Sequence, residues 1–297
     1  MSSKKLILGG AQLGNKYGIY SKASKMKNLN ELKKIFEFSA KNKLEFIDTA
    51  QDYKNSEKII GQLSKNKFKI ISKIKIQKNL SFENLEKYLI NRVFNSISRL
   101  KSSKIYILHL HNIDEYLYNR KYLSDIFKIL DELKKRDIIS KIGVSTYYPE
   151  KIHKIYKYFK FDVVQVPFNI FDQRLLESKI YKSNTFQRVE IHVRSIFLQG
   201  ITLNESRPRY FDRWKKKIDL YFDFLKIKNL NPICFNLSFV KNLKNINGVI
   251  FGTQNYNQLK EIIIFNKKKI KIDYQECKKL KINDKKLLIP SNWKKIY

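Results

Sequence analysis

Cysteine, proline and glycine are scarce in this chain, at 2, 5 and 9 among 297 residues. The two cysteines, Cys234 and Cys277, lie far apart and lack the spacing of a metal site. With so little Pro and Gly there is no linker rich in them at which the chain would divide into domains. No apolar run approaches the roughly 18–20 residues of a spanning helix. The amino terminus, MSSKKLILGG, lacks the apolar stretch of a secretory signal, so a cytoplasmic protein is expected. Acids are also few: 27 Asp and Glu stand against 61 Lys and Arg, a net charge of +34. Such a balance ordinarily prompts a nucleic-acid or anionic-membrane reading. Here the lysines run along the whole chain, as at Lys4-Lys5, Lys33-Lys34, Lys134-Lys135, Lys215-Lys216-Lys217 and Lys267-Lys268-Lys269, and none of these runs forms a binding arm. Together with the excess of Ile, Asn and Tyr, this reads as a compositional bias that fills solvated faces with Lys. Neither a specific nucleic acid nor a membrane is expected as a partner. One use of the field survives, since positive potential draws in phosphorylated ligands.

What the chain does have is a 43% hydrophobic content, enough for a sizeable core, arranged in an alternating pattern. Short β-rich runs occur at 6–11, 45–50, 69–74, 105–111, 141–146, 162–168, 189–196 and 248–253. Between them lie helical patterns at 29–42, 81–100 and 124–137, with Ser81 at a helix start and Pro149 where another first turn should begin. Eight βα units predict an α/β fold, a (β/α)8 TIM barrel forming a single domain over residues 1–297, with 268–297 as a tail packed on or near it. A doubly wound sheet with a small extra domain is the competing arrangement.

In a barrel the site is built at the carboxyl ends of the strands. Those ends carry Gln12, Asp48, Lys73, His111, Ser145, Gln165 with Asn169, Arg194 with Ser195, and Thr253, where a purely structural core would prefer Val, Ile and Leu. Asp48, Lys73 and His111 end the second, third and fourth strands and so become rim neighbours, with Tyr53 on the loop after Asp48. A buried Asp beside a buried Lys is explicable as a structural ion pair. A Tyr and a His beside that pair are harder to explain structurally. An adjacent ammonium stabilises a phenolate and lowers a tyrosine's pKa from about 10, which suits a general acid for a carbonyl oxygen. A neutral His can donate a hydrogen bond to that oxygen. His109 and His111 point the same way; the deeper His109 reads as a core histidine.

The stretch DTAQDYKNSEKIIG (48–61) resembles the DTAxxYxxSExxIG signature of the aldo-keto reductases. The resemblance extends through GGAQLG, SKI at 72–74, LHLHN, KIGVST, VVQVPFNIFDQRL, VRSIFLQG and GVIFGTQNYNQLKE. It implies a barrel that passes a hydride between a nicotinamide cofactor, NADP in preference to NAD, and a small-molecule carbonyl or alcohol. It implies Tyr53 as general acid, Asp48 and Lys73 as the pair that lowers its pKa, and His111 as the group orienting substrate. For the cofactor it implies Gly10, Ser145, Thr146, Gln165, Arg194, Ser195 and Phe197 at the nicotinamide and phosphates, and Gly252, Thr253, Gln258 and Glu261 toward the adenosine. The chain departs from the family at Thr146, usually Asn, at Arg194, where many members stack a tyrosine, and at Gly252 and Gln258, where Lys and Arg often clamp the 2′-phosphate. A guanidinium plane can also stack on an aromatic face.

GGAQLGNKYG (9–18) is a rival phosphate motif, but it misses GxGxxG and has neither the P-loop spacing nor the Ser or Thr that follows the P-loop lysine. No metal site is expected, and the protein is expected to be a monomer or a weak homo-oligomer. Two alternatives stand beside the reductase: a barrel that holds NADP(H) as a sensor or regulatory subunit without appreciable catalysis, and a basic nucleic-acid-binding protein. Substrate is expected to be shaped by Tyr17, Tyr147, the 201–215 segment and the tail around Trp293, whose aromatics either line the pocket or pack the barrel. By resemblance, a sugar or nucleotide-sugar carbonyl is implied.

Overall fold

The computed structural model describes residues 4–14, 18–20 and 28–293. Eight parallel strands close into one barrel: β1 (Lys5–Gly9), β2 (Phe46–Asp48), β3 (Lys69–Ile74), β4 (Ile105–Leu110), β5 (Ile139–Ser145), β6 (Val163–Pro167), β7 (Glu190–Arg194) and β8 (Gly248–Gly252). Pairing follows chain order, and β8 returns to β1 through Lys5↔Gly248 to Gly9↔Gly252. All eight expected strands are therefore present, and the doubly wound alternative is excluded. Several end earlier than their apolar runs because the chain must turn at the barrel mouth. After β1 the backbone tightens at once into a 3-10 turn over Gly10–Gln12.

Helices cover the outside: α1 (Leu29–Lys41), α2 (Ser56–Leu63), α3 (Phe82–Leu100), α4 (Arg120–Lys135), the short α5 (Lys179–Lys182), α6 (Lys215–Ile227), α7 (Pro232–Lys241) and α8 (Tyr256–Asn266). Each long one has a sequence reason. In α4, Tyr122, Leu123, Ile126, Ile129, Leu130 and Leu133 recur at helical spacing and are buried. Burying a side chain of that size contributes about 1.5–3 kcal/mol. This helix starts four residues before the expected 124, and Asn119 caps it by accepting the Tyr122 N–H at 3.1 Å. Pro149 does not open an α-helix: the crossover from β5 to β6 holds only a 3-10 turn at Ile152–Ile155.

The side chains pointing into the barrel explain where the site lies. Ile7, Phe46, Ile71, Ile107, Val163 and Ile250 form an inner apolar cluster separate from the larger core between sheet and helices. Two inward imidazoles complete this filling. A Cβ on Gly143 would lie 2.2 Å from His109 Nδ1, and one on Gly248 would lie 2.6 Å from His192 Cδ2. Each histidine thus occupies the volume that its cross-strand partner leaves empty. Above this filling, at the strands' carboxyl ends, the inward residues become polar.

Residues 268–293 pack back onto the barrel without adding a strand. Ile282 N–H donates to Phe171 O at 2.9 Å, and Gln173 Nε2 to Cys277 O at 2.8 Å. Among the described residues, no helix is long and apolar enough to cross a membrane, and no cluster of three or more metal-ligating side chains occurs.

Candidate active site

Asp48, Tyr53, Lys73 and His111 meet at the mouth of the barrel. Lys73, on β3 and 1% exposed, places Nζ 2.5 Å from Asp48 Oδ2 and 3.0 Å from Thr49 O. The other carboxylate oxygen, Asp48 Oδ1, accepts from Gln165 Nε2 at 2.8 Å. Both charges are therefore satisfied while out of water, as such burial demands. Burial pushes the Lys73 ammonium below its ordinary pKa, Asp48 raises it again, and Arg194 adds to the lowering.

Tyr53 reaches this pair by a turn encoded in the motif itself. Its N–H donates to Ala50 O at 3.0 Å, and its carbonyl accepts from Ser56 N at 2.9 Å, which starts α2. Its ring then lies 5.3 Å from Lys73 Nζ and meets the His111 ring edge to face, with centroids 5.9 Å apart. Lys73 is thus sealed beneath a phenol that faces the cavity.

His111 follows the last residue of β4, and its backbone N–H donates to Ile74 O at 2.8 Å. Its Nδ1 lies 3.5 Å from Asp52 Oδ2. Burial first of all holds the imidazole below its ordinary pKa; Asp52 opposes this, and Lys73 and Arg194 reinforce it. At neutral pH the ring is uncharged and can donate one hydrogen bond. Sequence reasoning missed Asp52, whose place inside the motif was its available signal. The motif's glutamate was missed as well. Glu57, buried, accepts from Ser72 Oγ at 2.7 Å, Ser96 Oγ at 2.8 Å and Arg99 Nε at 2.8 Å, binding α2 to β3 and α3. Gly61 belongs to the same joint, since a Cβ there would lie 2.2 Å from Arg99 O.

A cavity of about 590 Å³ opens over these groups, within the range of small-molecule sites. Of the residues expected at the cofactor, Gln165, Arg194, Ser195, Phe197, Gly252, Gln258 and Glu261 line it. Gly10, Ser145, Thr146 and Thr253 do not. Gly10 lies behind the wall, where a Cβ would meet Asp48 O and Ser56 Oγ at 2.9 Å. Ser145 is buried and pairs in register with Gln165. Thr146 Oγ1 bonds to Asp114 and accepts from Tyr148 N at 2.8 Å, while Thr253 Oγ1 donates to Asn255 O at 2.7 Å. Lining residues that sequence reasoning missed include Tyr20 and Asn231, which no motif marks, and Gln199, which lies inside VRSIFLQG. In the loop after β7, Ser195, Leu198 and Gln199 adopt φ of 58°, 42° and 54°, a strained conformation for residues other than glycine.

Of the residues expected to shape substrate, Tyr147 lines the cavity, as do Leu203 and Asn204 from 201–215. Tyr17 lies outside the described residues. Trp293 packs the barrel: its indole N–H bonds to Lys286 O and Leu287 O, and its ring meets Phe211 edge to face at 5.0 Å.

The wall fits a nicotinamide. Gln165 Nε2 is committed to Asp48, while its Oε1, fully buried, has no hydrogen-bond partner among the described residues. That oxygen is a ready acceptor for a carboxamide NH2. Gly252 lets the Gln12 side chain pack close over β8, where a Cβ would lie 2.4 Å from Gln12 Oε1.

Comparison with known proteins agrees with this geometry. Among curated proteins none matches the chain. Among solved structures, AKR11C1 from Bacillus halodurans, an aldo-keto reductase in its holo form, is 16% identical over 98% of this chain and 94% of its own, with a TM-score of 0.71. The thermostable aldo-keto reductase Tm1743, in complex with the inhibitor epalrestat, is 17% identical over 93% of each chain, with a TM-score of 0.67. PA4992 from Pseudomonas aeruginosa is 18% identical over 90% of each, with a TM-score of 0.64. At these identities the structures speak for the fold. The Aldo/keto reductase family itself matches residues 5–282, nearly the whole length. The chain belongs to the aldo-keto reductase family, NAD(P)-dependent oxidoreductases that act on carbonyl groups.

Proposed function

We propose that this protein reduces the carbonyl of a small polar molecule, with Tyr53 as the proton donor. The observation that carries the reading is the position of Tyr53, facing the cavity between the Lys73 ammonium and the His111 ring. A nicotinamide cofactor, when bound, supplies the hydride. Gln165, paired in register with Ser145 on the neighbouring strand, would hold its carboxamide. His111, neutral, donates to the substrate oxygen and fixes it within reach of the Tyr53 hydroxyl. As charge develops on that oxygen, Tyr53 gives up its proton, and the ammonium of Lys73 stabilises the phenolate left behind. Asp48 keeps Lys73 in place and charged.

Ser195, Gln199 and Asn204 supply hydrogen-bonding groups to the wall, a lining suited to a hydroxylated substrate such as a sugar or nucleotide sugar. At the adenosine end the family resemblance and the geometry pull apart. NADP(H) is the cofactor the resemblance implies, yet the described lining there is Gly252, Gln254, Gln258 and Glu261. Gln258 Oε1 is occupied by Gln254 N–H at 2.8 Å. A 2′-phosphate would draw on a cation outside that lining, such as the exposed Lys260 on α8.

Fluorescence titration with NADPH and NADH, followed by a panel of aldehydes and keto-sugars, tests the reading. Nucleotide binding with carbonyl-dependent oxidation is expected. A protein that binds neither nucleotide would overturn the reductase assignment. One that binds a nucleotide without oxidising it would be the sensor.

A further inference from the structure

Of the 61 Lys and Arg residues in the chain, a single one, Arg194, lines the cavity among the described residues. Only 10 of the 61 are Arg, so the bias that fills solvated faces with Lys does not explain a guanidinium here. Arg194 ends β7, on the wall that also holds Tyr53 and His111. Its guanidinium carbon lies 4.1 Å from the centre of the Tyr147 ring. The Tyr147 backbone that carries this ring is held in place, because its N–H donates to Asp114 Oδ2 at 2.8 Å and Asp114 is tied to Thr146. Stacking engages the face of a guanidinium, whereas its N–H groups lie in the plane and bond through the edge, the geometry that matches a carboxylate or phosphate.

The surrounding charges are of both signs, and Asp114, the carboxylate within reach of the Arg194 charge, is already engaged by Thr146 and the Tyr147 N–H. Asp48 is neutralised by Lys73, and the Arg194 charge bears on both Lys73 and His111, to the cost of their protonated forms. An anionic group set beside Arg194 offsets that repulsion while a carbonyl stands at Tyr53.

Building on the reductase reading, we infer that the substrate carries an acidic group as well as its carbonyl, and that Arg194, held on Tyr147, is the residue that selects it. Tyr53 and His111 then act on the carbonyl end and Arg194 on the anionic end.

The test compares matched pairs in the presence of the preferred nucleotide: 4-oxobutanoate against butanal, and glyceraldehyde 3-phosphate against glyceraldehyde. The charged member is expected to have a kcat/KM higher by about tenfold or more, the size of one charge-assisted hydrogen bond. The pair showing the larger ratio identifies carboxylate or phosphate. Arg194→Gln should collapse the ratio toward unity, and Arg194→Lys should retain part of it. A binding measurement free of turnover accompanies this: calorimetry of succinate and of inorganic phosphate against the protein, with and without nucleotide, where Arg194→Gln should abolish the binding of whichever anion is held. Equal rates for charged and neutral members, with no anion bound, would overturn the inference and leave the reductase reading standing. So would an Arg194→Gln variant that weakens nucleotide binding and slows both members alike, which would give Arg194 to the cofactor. Anion binding lost in Arg194→Gln, with no aldehyde reduced, would uphold the anion site and sink the reductase.

Discussion

The two ends of the barrel both carry lysines and carboxylates, and they handle them in opposite ways. At the floor, where the strands begin, Glu190 meets Lys141, Lys5 at 3.7 Å and His192 Nε2 at 3.3 Å. Lys5, Lys69 and Lys141 stand 5.1 to 5.6 Å from the rings of Phe46 and Tyr106. Their side chains keep between 26% and 53% of their surface in water. They cap an apolar filling with stems and let solvent carry most of the charge. At the mouth, Lys73 is sealed, its one carboxylate is shared with Gln165, and a phenol separates it from a cavity. The same residue type plugs one end and, in the proposed mechanism, supports chemistry at the other. What distinguishes them is desolvation beside a concave wall.

The sharpest break of this contrast is Tyr53→Phe. It should lower turnover by roughly 10² to 10⁴, the range for a general acid, while nucleotide affinity measured by fluorescence stays unchanged. Wild-type cofactor oxidation by that variant would remove Tyr53 from its role.

Lys73→Met comes next. Leaving Asp48 buried and unpaired should cost about 3–5 kcal/mol in urea unfolding, along with activity. The double variant Asp48→Asn with Lys73→Met should recover much of the stability and none of the turnover. Recovery of both would mean that the pair is structural after all.

A smaller effect concerns protons. His109, His111 and His192 are all held below their ordinary pKa, first by burial. The unfolded chain takes up protons below about pH 6.5 that the folded chain refuses, so stability should fall as pH drops through that value. Denaturant midpoints from pH 8 to pH 5 would show the decline, and His192→Gln should make it shallower.

The smallest effect belongs to the floor. Glu190, its pKa lowered to about 2 by the neighbouring His192 and then by Lys141, contributes stability above the ordinary carboxylate pKa that is lost as pH falls toward 2. Its lysine partners are partly solvated, so Glu190→Gln should cost no more than about 1 kcal/mol at pH 7 and leave kcat intact. A turnover loss comparable to that of Lys73→Met would erase the distinction between the two ends.

The eight strands were legible because their apolar runs alternate with amphipathic segments, and the four mouth residues because each closes or follows such a run. His111 could be preferred over His109 because two residues of β-strand carry a side chain one layer higher. Other features had no such signal. Pro149 looked like a helix start, yet the crossover there holds only a 3-10 turn. Thr146 and Asp114 sit far apart in sequence, so nothing told of the bond that fixes Tyr147.

By itself, then, the sequence determined the alternation of strand and helix, the inward polar residues at the strand ends, and the tight turn that delivers Tyr53, all properties of local periodicity and short-range hydrogen bonding. Only the closed barrel decided that Lys73 would lie beneath that phenol, that Gln165 Oε1 would face a cavity without a partner, and that Arg194 would rest on Tyr147. Those are contacts between strands and loops far apart in the chain, and burial and low dielectric, which give them their chemistry, exist only once the barrel has closed.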